Sequence, residues 1–112
     1  YNLPIKIFNL NNSCLGMIKQ WQKIFYSGRS FSDSYKTSLP NFVKLAESFG
    51  HIGIKVSQNS KLKDGIKQAL AIKNKLVFVD IHVNSNEAVY PMLIESRGSM
   101  KDMWLSKDKK TN

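Results

Sequence analysis

Leu76-Val-Phe-Val79 is an apolar run without alternation, set inside Lys75-Leu-Val-Phe-Val-Asp-Ile-His-Val83. A strand that is apolar at successive positions buries both of its faces, as strands of parallel sheets do. A parallel sheet needs crossover connections, and the chain supplies them as helical patterns between strand-like segments. Ile5 to Leu10 reads as a short buried strand, expected to be central in its sheet. It runs into the turn and capping residues Asn11-Asn12-Ser13, followed by Met17, Ile18, Trp21, Ile24 and Phe25 at helical spacing. This helix is expected to fade near Tyr26-Ser-Gly28. Asn41 is placed to cap a second helix with Phe42, Leu45, Ala46 and Phe49 on one face and Gly50 as its stop. His51 to Val56 reads as a strand. Ser57-Gln-Asn-Ser60 is read as capping a third helix with Leu62, Ile66, Ala69 and Leu70 inward, weakened slightly by Gly65. The order β-α-α-β-α-β implies an α/β fold: a parallel sheet with flanking helices and right-handed crossovers.

Two segments resist this pattern. Arg29 to Ser38 is polar with interspersed aromatics and reads as a long loop, functional or pinned to the surface by Phe31 and Tyr35. Asn84 to Asn112 shows little regular pattern, and Met92, Met103 and Trp104 there are expected to need a surface to cover.

Charge and cysteine usage narrow the function classes. Seventeen basic residues against eight acidic ones give a net charge of +9, which suits nucleic acid or an anionic surface. Arg, the residue suited to bidentate phosphate and base contacts, occurs only at Arg29 and Arg97, and the lysines are scattered. The one lysine run, Lys107-Asp-Lys-Lys110, falls in what reads as a frayed tail. A solvated lysine-rich surface is the favoured reading; a basic nucleic-acid-binding module and a non-catalytic interaction fragment stay open. Cys14 is the single cysteine, so neither a disulfide nor a cysteine zinc site forms within the chain, which fits a reducing compartment. No apolar run approaches the roughly twenty residues of a membrane span. The opening Tyr1-Asn2-Leu3-Pro4 meets a strand at once and reads as a chain entered in mid-domain.

A strand that breaks on two amides before a helix puts polar oxygens at the strand's carboxyl end, where open α/β sheets bind ligands. Asn12 could lend a neutral oxygen to a hard cation there, although an Asn pair between strand and helix is more often only a turn. Asp80 and His82 share one face of their strand. Without a third partner in the sequence, they read as sheet-end polarity rather than a catalytic pair. His51, at a strand start, reads as structural.

Asn9-Leu-Asn-Asn-Ser-Cys-Leu-Gly-Met-Ile-Lys-Gln-Trp-Gln22 resembles the closing half of the thiamine-diphosphate motif in acetolactate synthase (acetohydroxyacid synthase) large subunits. The motif's Gly-Asp-Gly opening is not in this chain. Leu39-Pro-Asn-Phe-Val-Lys-Leu-Ala-Glu-Ser-Phe-Gly50, Leu76-Val-Phe-Val-Asp80 and Val89-Tyr-Pro-Met92 resemble later segments of that family, in the same order. The ending Met103-Trp-Leu-Ser-Lys107 is most similar to the bacterial isozyme III form.

The resemblance implies the carboxyl-terminal part of a three-layer, Rossmann-like cofactor domain over residues 1–83. Residues 84–112 would be a tail packing over the site or a neighbouring surface. It implies Asn12 as side-chain Mg²⁺ ligand, Cys14 as ligand through its backbone carbonyl, Gly16 and Met17 lining the thiamine diphosphate pocket, and Trp21 at the substrate channel. The implied enzyme decarboxylates pyruvate and condenses it with pyruvate or 2-ketobutyrate in branched-chain amino acid biosynthesis. It would be a cytoplasmic homodimer of large subunits with a small regulatory subunit, and would engage neither nucleic acid nor membrane. FAD and the activating glutamate would lie outside this chain, so no catalytic residue is expected in it and residues 1–112 alone are expected to be inactive.

Overall fold

The computed structural model describes residues 3–29, 37–93 and 99–106, and the backbone of 109–110. They divide between two compact units, the first from residues 1–14 and 34–85, the second from 15–33 and 86–112.

The first unit is built on three parallel strands: β1 (Lys6–Asn11), β2 (Ile52–Val56) and β3 (Val77–His82). Their order is β1-β3-β2, so β3 is central, and among the described residues β1 is paired on one side only; the central place expected of β1 belongs to the complete sheet, in which a further strand would pair its open side. The chain leaves the last helix and re-enters between the two earlier strands, and β3 therefore has a hydrogen-bonded neighbour on each side. The ladder runs past the strand ends, with Val77 N–H donating to Ile5 O at 2.9 Å and Val83 N–H to Asn11 O at 3.0 Å.

Helices cover the two faces of this sheet. Gly53 sits under α2 (Phe42–Ser48), where a Cβ would lie 2.7 Å from the Val43 backbone; only glycine admits the helix this closely. Phe42 of α2 stacks on Phe78 at 5.7 Å between ring centroids. On the opposite face Ile54, Val56, Val77, Val79 and Ile81 form the core with Ala69 of α3 (Leu62–Ala71). Gly65, expected only to weaken this helix, is a contact point, since a Cβ there would approach Val56 Cγ2 to 2.6 Å. Leu70, expected inward, is exposed, as are Leu45 and Phe49 of the second helix's expected face. Asn41 caps α2 as expected, its side chain accepting from Lys44 N–H at 3.1 Å, and Gly50 follows in the left-handed conformation. Ser57–Ser60 caps nothing directly. A 3-10 turn over Asn59–Lys61 leads into α3, and no side chain caps that helix.

The second unit contains α1 (Gly16–Phe25) and a small antiparallel sheet of β4 (Met92–Leu93), β5 (Met103–Ser106) and β6 (Lys109–Lys110), in the order β4-β5-β6. The segment after Asn84 is thus more regular than its sequence pattern suggested, and Lys109–Lys110 is paired rather than frayed. Met92 is buried and Met103 and Trp104 are half-buried within the chain itself. Ser99 and Asp102 close a capping box on the turn that delivers β5. The buried residue of α1 is Gln20, whose amide accepts from Val89 N–H at 2.8 Å and donates to Val89 O at 2.9 Å, taking the place of a strand neighbour. Of the loop expected at Arg29–Ser38, residues 30–36, with Phe31 and Tyr35, lie outside the described residues, as do Lys107 and Asp108.

Candidate functional site at the carboxyl end of β1

The carboxyl ends of the three parallel strands lie at one edge of the sheet, and β1 ends there on Asn11. The two amides that follow from the strand do different things. Asn11 is engaged on both sides: its Nδ2 donates to Asp80 Oδ1 at 3.1 Å, while its Oδ1 accepts from Ser13 N–H at 3.0 Å and from Ser13 Oγ at 3.4 Å. Asn12 Oδ1 accepts from Cys14 N–H at 3.2 Å. A carbonyl oxygen carries two lone pairs, so this contact occupies one of the two acceptor positions of Asn12 Oδ1. The two linked side chain-to-backbone turns hold Ser13 in the left-handed region at φ 56°. The expected helix-capping role of Asn11–Ser13 is not what these residues do. The N-cap of α1 is Leu15, and no side chain caps it.

Beneath the turn lies a polar cluster. Asp80 is only 5% exposed, and its register partner on β1 is Asn9, whose Nδ2 donates to Asp80 Oδ1 at 2.9 Å. His82 Nε2 lies 3.1 Å from Asp80 Oδ2. The sequence offered Asp80 and His82 as a pair on one face. Their further partners, Asn9 and Asn11, come from a strand some seventy residues earlier, and only the β1–β3 register supplies them. His51 is exposed just before β2.

Cys14 is half-buried, with its thiol 3.8 Å from Ser85 O. Among the described residues no group of three or more His, Cys, Asp or Glu is gathered as a metal site. Neutral oxygens are what this turn can offer a metal, namely the Asn12 side chain and the backbone carbonyl of Cys14. Such oxygens suit a hard cation like Mg²⁺ and complete its shell only together with other ligands.

In the second unit, Gly16 is the first residue of α1, and Met17 and Trp21 lie on one face of that helix. With Ile18, Gln22 and Tyr26 they line a shallow apolar concavity of about 350 Å³. Trp21 is braced by Phe25, its ring centroid 5.5 Å away. The apolar stripe read from helical spacing is therefore half-open, with Met17, Ile18, Trp21 and Phe25 each 40–47% exposed.

Residues 1–81 match the family model described as thiamine pyrophosphate enzyme, C-terminal TPP binding domain. The chain is similar to the acetolactate synthase large subunit of Haemophilus influenzae, 54% identical over 107 residues that make up 96% of this chain and 18% of the relative. It is similar to the acetolactate synthase isozyme 3 large subunit of Escherichia coli, 51% identical over 113 residues, 99% of this chain and 19% of the relative. A more distant relative is the acetolactate synthase large subunit of Cyanidium caldarium, 36% identical over 111 residues, 99% of this chain and 19% of that protein. The chain thus spans about a fifth of the length of the curated relatives it matches.

Proposed function

We propose that this chain, which belongs to the thiamine pyrophosphate enzymes as a C-terminal TPP binding domain, is the carboxyl-terminal part of an acetolactate synthase large subunit. In this reading residues 1–83 belong to the cofactor-binding domain and residues 84–112 form its carboxyl-terminal extension. The full subunit converts pyruvate, with a second 2-keto acid, to acetolactate or its homologue in branched-chain amino acid synthesis. It acts in the cytoplasm as a homodimer with a small regulatory subunit. The relatives' name, large subunit, supports a smaller partner. Among the described residues no helix is long and apolar enough to cross a membrane.

The observation that carries the site reading is the unequal engagement of the two amides. Asn11 is committed to the protein on both sides, while Asn12 keeps an acceptor lone pair at the sheet's carboxyl edge. Asn12 Oδ1 and the Cys14 carbonyl are the oxygens this chain would give Mg²⁺. Gly16 would leave room for the diphosphate, and Met17 would supply an apolar wall. Bound thiamine diphosphate supplies the carbanion-stabilising chemistry that decarboxylation and carbon–carbon bond formation require. Trp21 would discriminate the second substrate by apolar contact, favouring 2-ketobutyrate over pyruvate. The FAD site, the remaining carboxylate ligand and the activating glutamate would lie elsewhere in the enzyme.

Asn12→Ala in the complete subunit tests this reading. It should raise the Mg²⁺ and thiamine diphosphate concentrations needed for half-saturation and sharply lower activity at limiting cofactor. Overlapping cofactor titrations of variant and parent would remove Asn12 from the metal site. Residues 1–112 alone should show no saturable micromolar binding of Mg²⁺ with thiamine diphosphate by calorimetry, because two neutral oxygens compete poorly with the ion's hydration shell.

A further inference from the structure

The geometry points to Asp80 as a positioning residue that acts through Asn11 to fix the turn from which Asn12 and Cys14 face the metal. This rests on the assignment of Asn12 and Cys14 proposed above.

A carboxylate that is 5% exposed needs donors around it, and three side chains supply them: Asn9, Asn11 and His82. The contact with Asn11 has a directional consequence. A carboxylate only accepts, so Asn11 must turn Nδ2 toward Asp80. A flip of that amide would set Oδ1 against Asp80 Oδ1, two acceptors where a 3.1 Å hydrogen bond now stands. With Nδ2 held down, Oδ1 can only point up into the turn, where it receives the Ser13 N–H at 3.0 Å. Ser13 is a non-glycine residue at φ 56°, a conformation that persists only when its surroundings hold it. The next residue, Cys14, is in turn bound to Asn12. The carboxylate thus selects one amide orientation, the amide fixes one backbone geometry, and that geometry sets both candidate ligands. Asn9 binds the same carboxylate oxygen but makes no such contact with the turn, which makes it the internal control.

The test is calorimetric titration of the complete subunit with Mg²⁺ in the presence of thiamine diphosphate, for the parent, Asp80→Asn, Asn11→Ala, their double variant and Asn9→Ala. Asp80→Asn presents an amide nitrogen as well as an oxygen, so Asn11 is free to flip. Asp80→Asn and Asn11→Ala should each raise the Mg²⁺ dissociation constant about tenfold or more, as loss of a partner that orients a ligand does. The double variant should be no weaker than the weaker single, because both act through one contact. Asn9→Ala should lower the unfolding midpoint and leave the constant within about twofold. Activity of the Asn11 and Asp80 variants should recover at saturating Mg²⁺ and thiamine diphosphate. Equal weakening by the Asn9 and Asn11 variants would reduce Asp80 to a structural role and overturn the inference, as would losses that multiply in the double variant. If Asp80→Asn does not fold, the contrast between Asn11→Ala and Asn9→Ala still decides. A parent that does not bind Mg²⁺ with thiamine diphosphate overturns the site reading itself. A parent that binds beside an Asn11 variant that binds equally well overturns this inference alone.

Discussion

β1 and β3 are paired residue for residue, Phe8 against Val79 and Asn9 against Asp80, yet they have opposite fates. Val77 and Val79 of β3 are fully buried, whereas Ile7, Phe8 and Leu10 of β1 are 38%, 40% and 68% exposed. Both strands are rich in apolar side chains, so composition does not separate them. Position does: among the described residues β3 has a strand on either side, while β1 is paired on one side only. The lesson is that β3 works for stability and β1 for placement. The end of β1 carries the amides that meet Asp80 and shape the turn, and its apolar residues are less completely buried than those of β3.

The largest test of that contrast is Val79→Asp. An unpaired carboxylate in the core should cost more than about 4 kcal/mol and abolish cooperative unfolding of residues 1–112 in urea. Phe8→Asp at the paired position should leave a measurable transition. If the two variants unfold alike, β1 is as much part of the core as β3. Next comes Gly53→Ala, which sharpens the β2 side of the comparison. Its Cβ would lie 2.7 Å from the Val43 backbone, and overpacking of this kind costs about 1–3 kcal/mol, read as a lowered urea midpoint. An unchanged midpoint would mean that α2 can move away from the sheet freely.

Trp21→Leu extends the contrast to α1, whose open apolar face should serve recognition more than folding. In the complete subunit it should lower the preference for 2-ketobutyrate over pyruvate by about tenfold, the discrimination available from apolar contact with one methylene. The rate with pyruvate alone should stay largely intact. Equal loss of both products would assign Trp21 to the fold. The smallest expected effect is Leu10→Ser, within about 0.5 kcal/mol in residues 1–112, as for exposed positions generally. The same change in the complete subunit should cost more if further chain covers that edge. Equal small effects in both settings would show that β1 is an edge there too.

Much of this was legible in the sequence because local rules govern it. The unbroken apolar run at Leu76–Val79 required a strand buried on both faces, and the structure makes it the middle strand. Asn41 and Gly50 bracket α2 because capping and left-handed stops are set by single residues and their neighbours. The family, too, was readable in the words around Asn12.

Tertiary structure decided what depends on partners distant in the chain. Periodicity marks an apolar face but not whether anything covers it, so it could not say that the stripe of α1 would stand half-open or that Leu10, at the end of β1, would be 68% exposed. Gly65 looked like a weak point in a helix because propensity weighs a residue alone; its use appears only once Val56 is packed against it. Asp80 had one visible companion, since alternation along a strand reports neighbours on the same strand. Asn9 and Asn11 join it through a parallel register that no local pattern encodes. The sequence determined which residues could serve the site; the pairing of two remote strands determined which of the two amides is tied to Asp80.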